Sequence, residues 1–123
     1  MKLSQMTTDR ATDVLCEITP NITNIVADDD LMAELRMVVN PEEVKTRAEL
    51  LAKFAEKISK LVPIVLKKRR LDVFGILAAL NEKSVEEIGN QNILATMAQV
   101  REIVKDKDLM DFFKSCVSSE GSE

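Results

Sequence analysis

Apolar residues recur along this chain at helical spacing, and the polar clusters between them carry helix start signals. Val14, Leu15 and Ile18 begin a stripe that Ile22, Ile25 and Val26 continue at i+4, i+7 and i+8 from Ile18. At about 100° per residue these positions fall on one helical face. Thr8 ahead of Asp9 predicts a capped, acidic first turn. Pro20 lacks an amide donor, so the pattern predicts two helical segments meeting at a kink or break near Thr19. Asp28, Asp29 and Asp30 predict the start of a helix over 31–39. The same acids lack the glycine and closing glutamate of a calcium loop. Asn40-Pro41-Glu42-Glu43 combines a cap, a first-turn proline and acids, and predicts a short helix.

Thr46-Arg47-Ala48-Glu49 fits a capping box, in which hydroxyl and carboxylate each satisfy a free backbone amide. Leu50, Phe54, Ile58, Leu61 and Val65 then share one arc, predicting a long helix over 46–68 that Pro63 kinks or ends. Residues 71–80 are apolar on several sides through Val73, Phe74, Ile76, Leu77 and Leu80, as a central core helix would be. After a turn at Asn81-Glu82-Lys83, Ser84 and Glu87 form a second capping box, and Gly89 is placed to end that short helix in a left-handed conformation. Asn92 caps a helix over 93–104 carrying Ile93, Met97, Val100 and Val104 on one stripe, with Leu94 beside it. Asp108 caps a last short helix with Leu109, Met110, Phe112 and Phe113, and the small polar residues 117–123 read as a flexible tail. The expected fold is therefore all-α: one domain over 1–116, a compact bundle of about five to seven helices, some short. Its long helix over 46–68 is expected to pack against 71–80 and 93–104.

Composition narrows what such a bundle does. The 123 residues are 46% hydrophobic and 31% charged, an ordinary globular mixture, and the net charge of −4 gives no global attraction to nucleic acid or anionic lipid. No apolar run approaches the roughly 20 residues that cross a bilayer, and the polar start lacks a secretory core. The chain is accordingly expected in the cytoplasm, without a membrane partner. There Cys16 and Cys116 would be reduced, the first buried and the second in the tail. The glycosylation-like Asn21-Ile22-Thr23 would then be a chance match.

The chain contains no His, so it has neither an imidazole base nor an imidazole metal ligand. Two thiols fall short of a zinc set, and the three glycines are isolated rather than clustered as in a phosphate loop. The carboxylate pairs Glu42–Glu43 and Glu86–Glu87 sit in predicted first turns, where capping explains them. A carboxylate-bound magnesium remains open on these grounds, but the overall expectation is no enzyme, no cofactor and no metal.

Contact chemistry remains. Leu109, Met110, Phe112 and Phe113 lie near a chain end, and with Met97 they form the candidate partner-binding surface. Methionines at 32, 37, 97 and 110 offer adaptable contact area, although filling gaps in the core explains them equally. Lys67, Lys68, Arg69 and Arg70 form the one dense basic run. They read either as cations complementing a helix C-terminus or as a patch for an anionic partner. No aromatics interleave with them, which argues against nucleic acid.

The run Asp72-Val-Phe-Gly-Ile-Leu-Ala-Ala-Leu-Asn81, then Ser84-Val-Glu-Glu-Ile88, the helix to Val104 and Asp111-Phe-Phe113 resemble the tail assembly chaperones of long-tailed bacteriophages and related prophages. The likeness covers about the C-terminal third. It implies a small helical protein that binds hydrophobic helical segments of the tape-measure protein and keeps it soluble. It also implies help in recruiting tail-tube subunits, absence from the mature virion, and a short form beside a frameshift-extended one. Self-association is a further expectation, since an apolar surface needs cover when no client is bound. Two rivals stand beside it: a small helical nucleic-acid-binding phage protein using the basic residues, and a structural tail or head-tail completion subunit.

Overall fold

Thr7, itself extended, starts the first helix: its hydroxyl accepts the Arg10 amide at 3.1 Å, one residue before the predicted cap Thr8. The computed structural model describes residues 3–40, 42, 44 and 46–119. Helix α1 spans Thr8–Val26, α2 Asp29–Val38, α3 Arg47–Phe54, α4 Ile58–Asn81, α5 Val85–Asn90, α6 Ile93–Lys105 and α7 Lys107–Ser119. Two short 3-10 turns, Leu3–Gln5 and Ala55–Lys57, complete the described elements, and no strand occurs among them. The fold is compact and all-α.

Helix α1 runs through Pro20 without the predicted break. Pro20 and Cys16, whose carbonyl loses its partner to the missing amide, are both exposed, so water can serve that carbonyl. The Thr19 hydroxyl donates to the Leu15 carbonyl at 2.6 Å and the Asn21 amide to Glu17 at 3.3 Å, further satisfying this stretch. Cys16 is consequently exposed rather than buried, whereas Cys116 is half-buried on the inner side of α7; the two are not joined in a disulfide.

The predicted helix over 46–68 is divided. The capping box forms, with the Thr46 amide donating to Glu49 and the Glu49 amide to the Thr46 hydroxyl, both at 3.1 Å. Helix α3 nevertheless ends at Phe54, and Lys57 (φ −124°, ψ 30°) redirects the chain. Beyond the turn, α3 packs against both α2 and α7. Pro63 neither ends nor splits α4, because Pro63 and Ser59, its partner four residues back, both face solvent. The break falls instead at Arg69 (φ −130°, ψ 41°), where two helical stretches of α4 meet, at the predicted boundary between 46–68 and 71–80.

This break gives the two halves of α4 different partners. Leu61 and Val65 of the first half pack with Leu31 and Leu35 of α2, Val44, and Leu50 of α3. Ile76 and Leu80 of the second half pack with Val14 and Ile18 of α1 and Leu109 and Phe113 of α7. A third cluster joins Ile58, Val62 and Leu77 of α4 to Ile88 of α5 and Val100 of α6. Helix α4 is thus the spine common to all three clusters. It meets α1 so closely at Gly75 that a Cβ there would lie 2.6 Å from the Asn21 side-chain amide. Its far end is closed by Arg10, which donates to the Ala79 carbonyl at 2.7 Å, and by Glu82 in a left-handed conformation (φ 56°).

Other start signals act locally as read. Asp28 caps α2, Ser84 and Glu87 form the capping box of α5, and Asn92 caps α6. Gly89 does not adopt the predicted left-handed conformation; it lies inside α5, where its missing side chain leaves room for Phe74 (3.3 Å from a built Cβ). Asn40 accepts the Glu42 amide on its side chain and the Val44 amide on its carbonyl, both at 3.1 Å; the short helix predicted there falls partly on Pro41, Glu43 and Lys45, which lie outside the described residues. In α6, Thr96 and Val100 face inward, while Ile93 and Leu94 of the predicted stripe are exposed.

The cap of α7 is Asp106, not Asp108. One carboxylate oxygen accepts the Leu109 amide at 3.2 Å and the other accepts the Leu3 amide at 2.7 Å, joining the first turn of the chain to its last helix. Asp106 is buried, so Asp106→Ala removes both acceptors from an interior site. A urea melt is expected to show a loss of about 1–3 kcal/mol. Helix α7 continues to Ser119, into the segment read as a tail; residues 120–123 lie outside the described residues.

Candidate functional site

The residues first expected to meet a partner are largely interior. Leu109, Met110 and Phe113 are at most 8% exposed and sit in the cluster shared by α1, α4 and α7. Phe112 is half-buried beside them, its ring centroid 6.4 Å from that of Phe113. The correction follows from α7 itself: residues 109, 110, 113 and 116 share its inner face, and Asp106 anchors that face against the body. Met97 is half-buried against the α4–α6 cluster. Met32 and Met110 fill the core, leaving Met37 as the exposed methionine of the four.

The basic run sits where the first helical stretch of α4 ends at the Arg69 kink, as cations near a helix C-terminus would, and two of its four side chains meet acids of the same chain. Arg69 donates from Nε to Asp28 at 2.9 Å and approaches Asp72 at 3.7 Å, while Asn24 donates to Asp72 at 3.0 Å. Lys68 pairs with Glu34 at 3.5 Å. These contacts tie the α4 break to α2 and to the end of α1. Arg70 folds back toward the Leu66 carbonyl at 3.4 Å and, like Lys67, is exposed.

Asp28 holds this junction together, since it caps α2 through the Leu31 amide and binds Arg69. The Leu31 hydrogen bond first, and Arg69 second, hold its carboxyl below the usual carboxylate range. A lowered native pKa stabilises the fold above the ordinary value, and the contribution is lost as pH falls through the lowered one. Asp28→Asn keeps a capping oxygen but cannot titrate. Urea melts at neutral pH and at about pH 3 should therefore show a smaller acid loss in the variant than in the natural protein.

The three core clusters do not close completely on one another. Between them lies a cavity of about 150 Å³ whose lining is wholly apolar. Ile22 and Phe113 belong to one cluster, Met32, Leu50 and Val65 to the second, and Leu77 and Val100 to the third. Ile25, Val26, Leu51, Phe54, Val73 and Val104 complete much of the wall and are half-buried, and the cavity is not sealed from solvent. With no polar lining atom, water inside would lack protein hydrogen bonds. Were it closed and empty, a void of this size would forgo up to about 3–4 kcal/mol of packing, at about 24 cal/mol per Å³.

A second cavity of about 170 Å³ is bordered by Gln5, Asn81, Gln99, Glu102 and Asp106, three of which already bond elsewhere in the protein. Asn81 donates to the Leu77 carbonyl, Gln99 accepts from Gln91, and Asp106 accepts both backbone amides described above. No group of three or more potential metal ligands occurs among the described residues. No described helix is long and apolar enough to cross a membrane.

Sequence reading misses the apolar cavity because each lining residue, taken alone, has the spacing of an ordinary core position. The shortfall of volume arises only where helices from distant parts of the chain meet. Comparison of the chain with protein-family models, curated proteins and solved structures finds no significant match.

Proposed function

We propose that this protein holds apolar helical segments of a tape-measure protein during phage tail assembly, keeps that client soluble, helps recruit tail-tube subunits, and leaves before the virion is complete. The observation that carries the reading is the wholly apolar cleft with a half-buried rim. Such a cleft favours a partner that brings apolar side chains and keeps its own backbone hydrogen-bonded, as a helix does. The resemblance of residues 72–113 to tail assembly chaperones supplies the biological setting. Within this reading the contact residues are on the cleft rim, including Leu51, Phe54 and Val104, rather than on Phe112 and Phe113.

The exposed side chains of Met37, Leu71, Ile93 and Leu94 offer further apolar area that self-association could cover. Nucleic-acid binding is the less favoured function, because Lys68 and Arg69 are engaged by acidic residues of the same chain. Co-expression with the tape-measure protein of the same genome tests the proposal. The client is expected in the soluble fraction only when the chaperone is present, whereas Lys67→Ala with Arg70→Ala should leave that effect unchanged. Persistent precipitation of the client, or a protein that remains in purified virions, counts against the proposal.

A further inference from the structure

We propose that the apolar cavity at the junction of the three core clusters is a binding site for one uncharged hydrocarbon group, about the size of a benzene ring. The inference gives the proposed function its anchor pocket, and to that extent rests on it. Three observations define the ligand. The volume of about 150 Å³ lies below the roughly 300–1,000 Å³ of pockets for drug-sized ligands, and apolar cavities of this order accept benzene or xenon. The absence of polar lining leaves a buried hydroxyl, amide or carboxylate without a partner, which selects against most metabolites. The cavity is partly open and Ile25, Val26, Leu51, Phe54, Val73 and Val104 of its wall are only half-buried, so a group can enter from solvent.

The same chemistry can arrive as a free hydrocarbon or as a phenyl or branched alkyl side chain carried by a client helix. A side chain suits the site because its polar backbone stays outside and a single apolar group supplies the anchor. The filled cavity would then join α1, α3, α4 and α6 through one inserted group, coupling client binding to the packing of the whole bundle.

Benzene and xenon titrations of the full chain, followed by methyl NMR, provide the first arm. Saturable shifts are expected at Leu51, Val73, Val104 and their neighbours, and Val104→Phe should abolish them while melting cooperatively. Val73→Phe serves as an independent cavity-filling variant if the first does not fold. The second arm measures binding of a purified helical tape-measure segment to the natural chain and to the folded variant. At least a tenfold weaker complex, together with competition by benzene, assigns the cavity to a client side chain. Equal binding by both chains, with benzene shifts intact, assigns it to a free hydrocarbon. If neither chain holds the segment, the chaperone reading fails, and the benzene and xenon shifts alone decide the cavity. Absence of saturable methyl shifts in the natural chain with either probe overturns the inference, whatever the segment does.

Discussion

Phe113→Ala is expected to destabilise the protein by about 3–5 kcal/mol, read from the midpoint of a urea melt at unchanged slope. Phe113 is 8% exposed and packs with α1 and α4 in the cluster that also holds Leu109 and Met110. Its ring also borders the apolar cavity, so truncation enlarges a space that the surrounding helices already leave unfilled. Collapse can offset only part of that loss. Phe112→Ala should cost clearly less, because that ring is half-buried at the edge of the same cluster. Equal costs at the two positions would contradict the burial assigned to α7. Replacing both rings should compromise folding before it reports on any partner.

Leu77→Ala, in turn, is expected to cost about 2–5 kcal/mol, toward the upper end of that range. Leu77 is fully buried, joins α4 to α5 and α6, and also lines the cavity. A void made there merges with the existing space instead of being closed by one neighbour. Leu71→Ala is the matched control: on the same helix but 72% exposed, it should change stability by no more than about 0.5 kcal/mol. If the Leu77 variant behaves like the control, α4 is not the spine of the core.

Local chemistry made much of this architecture legible in the sequence. The reciprocal bonds of Thr46 with Glu49 and of Ser84 with Glu87, and the caps Asp28 and Asn92, join residues two or three apart, so the chain alone identifies them. Where two neighbouring residues could both cap, the choice came from elsewhere. Asp106 prevails over Asp108 while also accepting the amide of Leu3 from the other end of the chain. Prolines misled for a related reason. Pro20 and Pro63 would break a helix on a buried face, but both lie toward solvent, a side fixed only after packing.

The partners of the basic run and the burial of the candidate contact surface depend alike on packing between distant helices. The basic run does lie at the end of a helical stretch, at the Arg69 kink of α4, but only packing brings Asp28, Glu34 and Asp72 to Arg69 and Lys68. Apolar residues near a chain end suggested an accessible Phe112–Phe113 pair, yet the contact of Asp106 with Leu3 and the packing of α7 on α1 bury most of that face. Conversely, Ile93 and Leu94 follow the helical period and remain exposed. Periodicity locates an apolar face; only the meeting of helices determines whether it is covered.

The most direct measurement is the dissociation constant of a purified helical tape-measure segment at about 50 and about 200 mM salt, for the natural chain and for Val104→Phe. A protein making many phosphate contacts loses roughly 10³–10⁵ in affinity over that interval. For an apolar cleft, the segment should change affinity by less than about threefold with salt, while Val104→Phe weakens it at least tenfold. Binding that collapses with salt and ignores Val104→Phe would contradict the account.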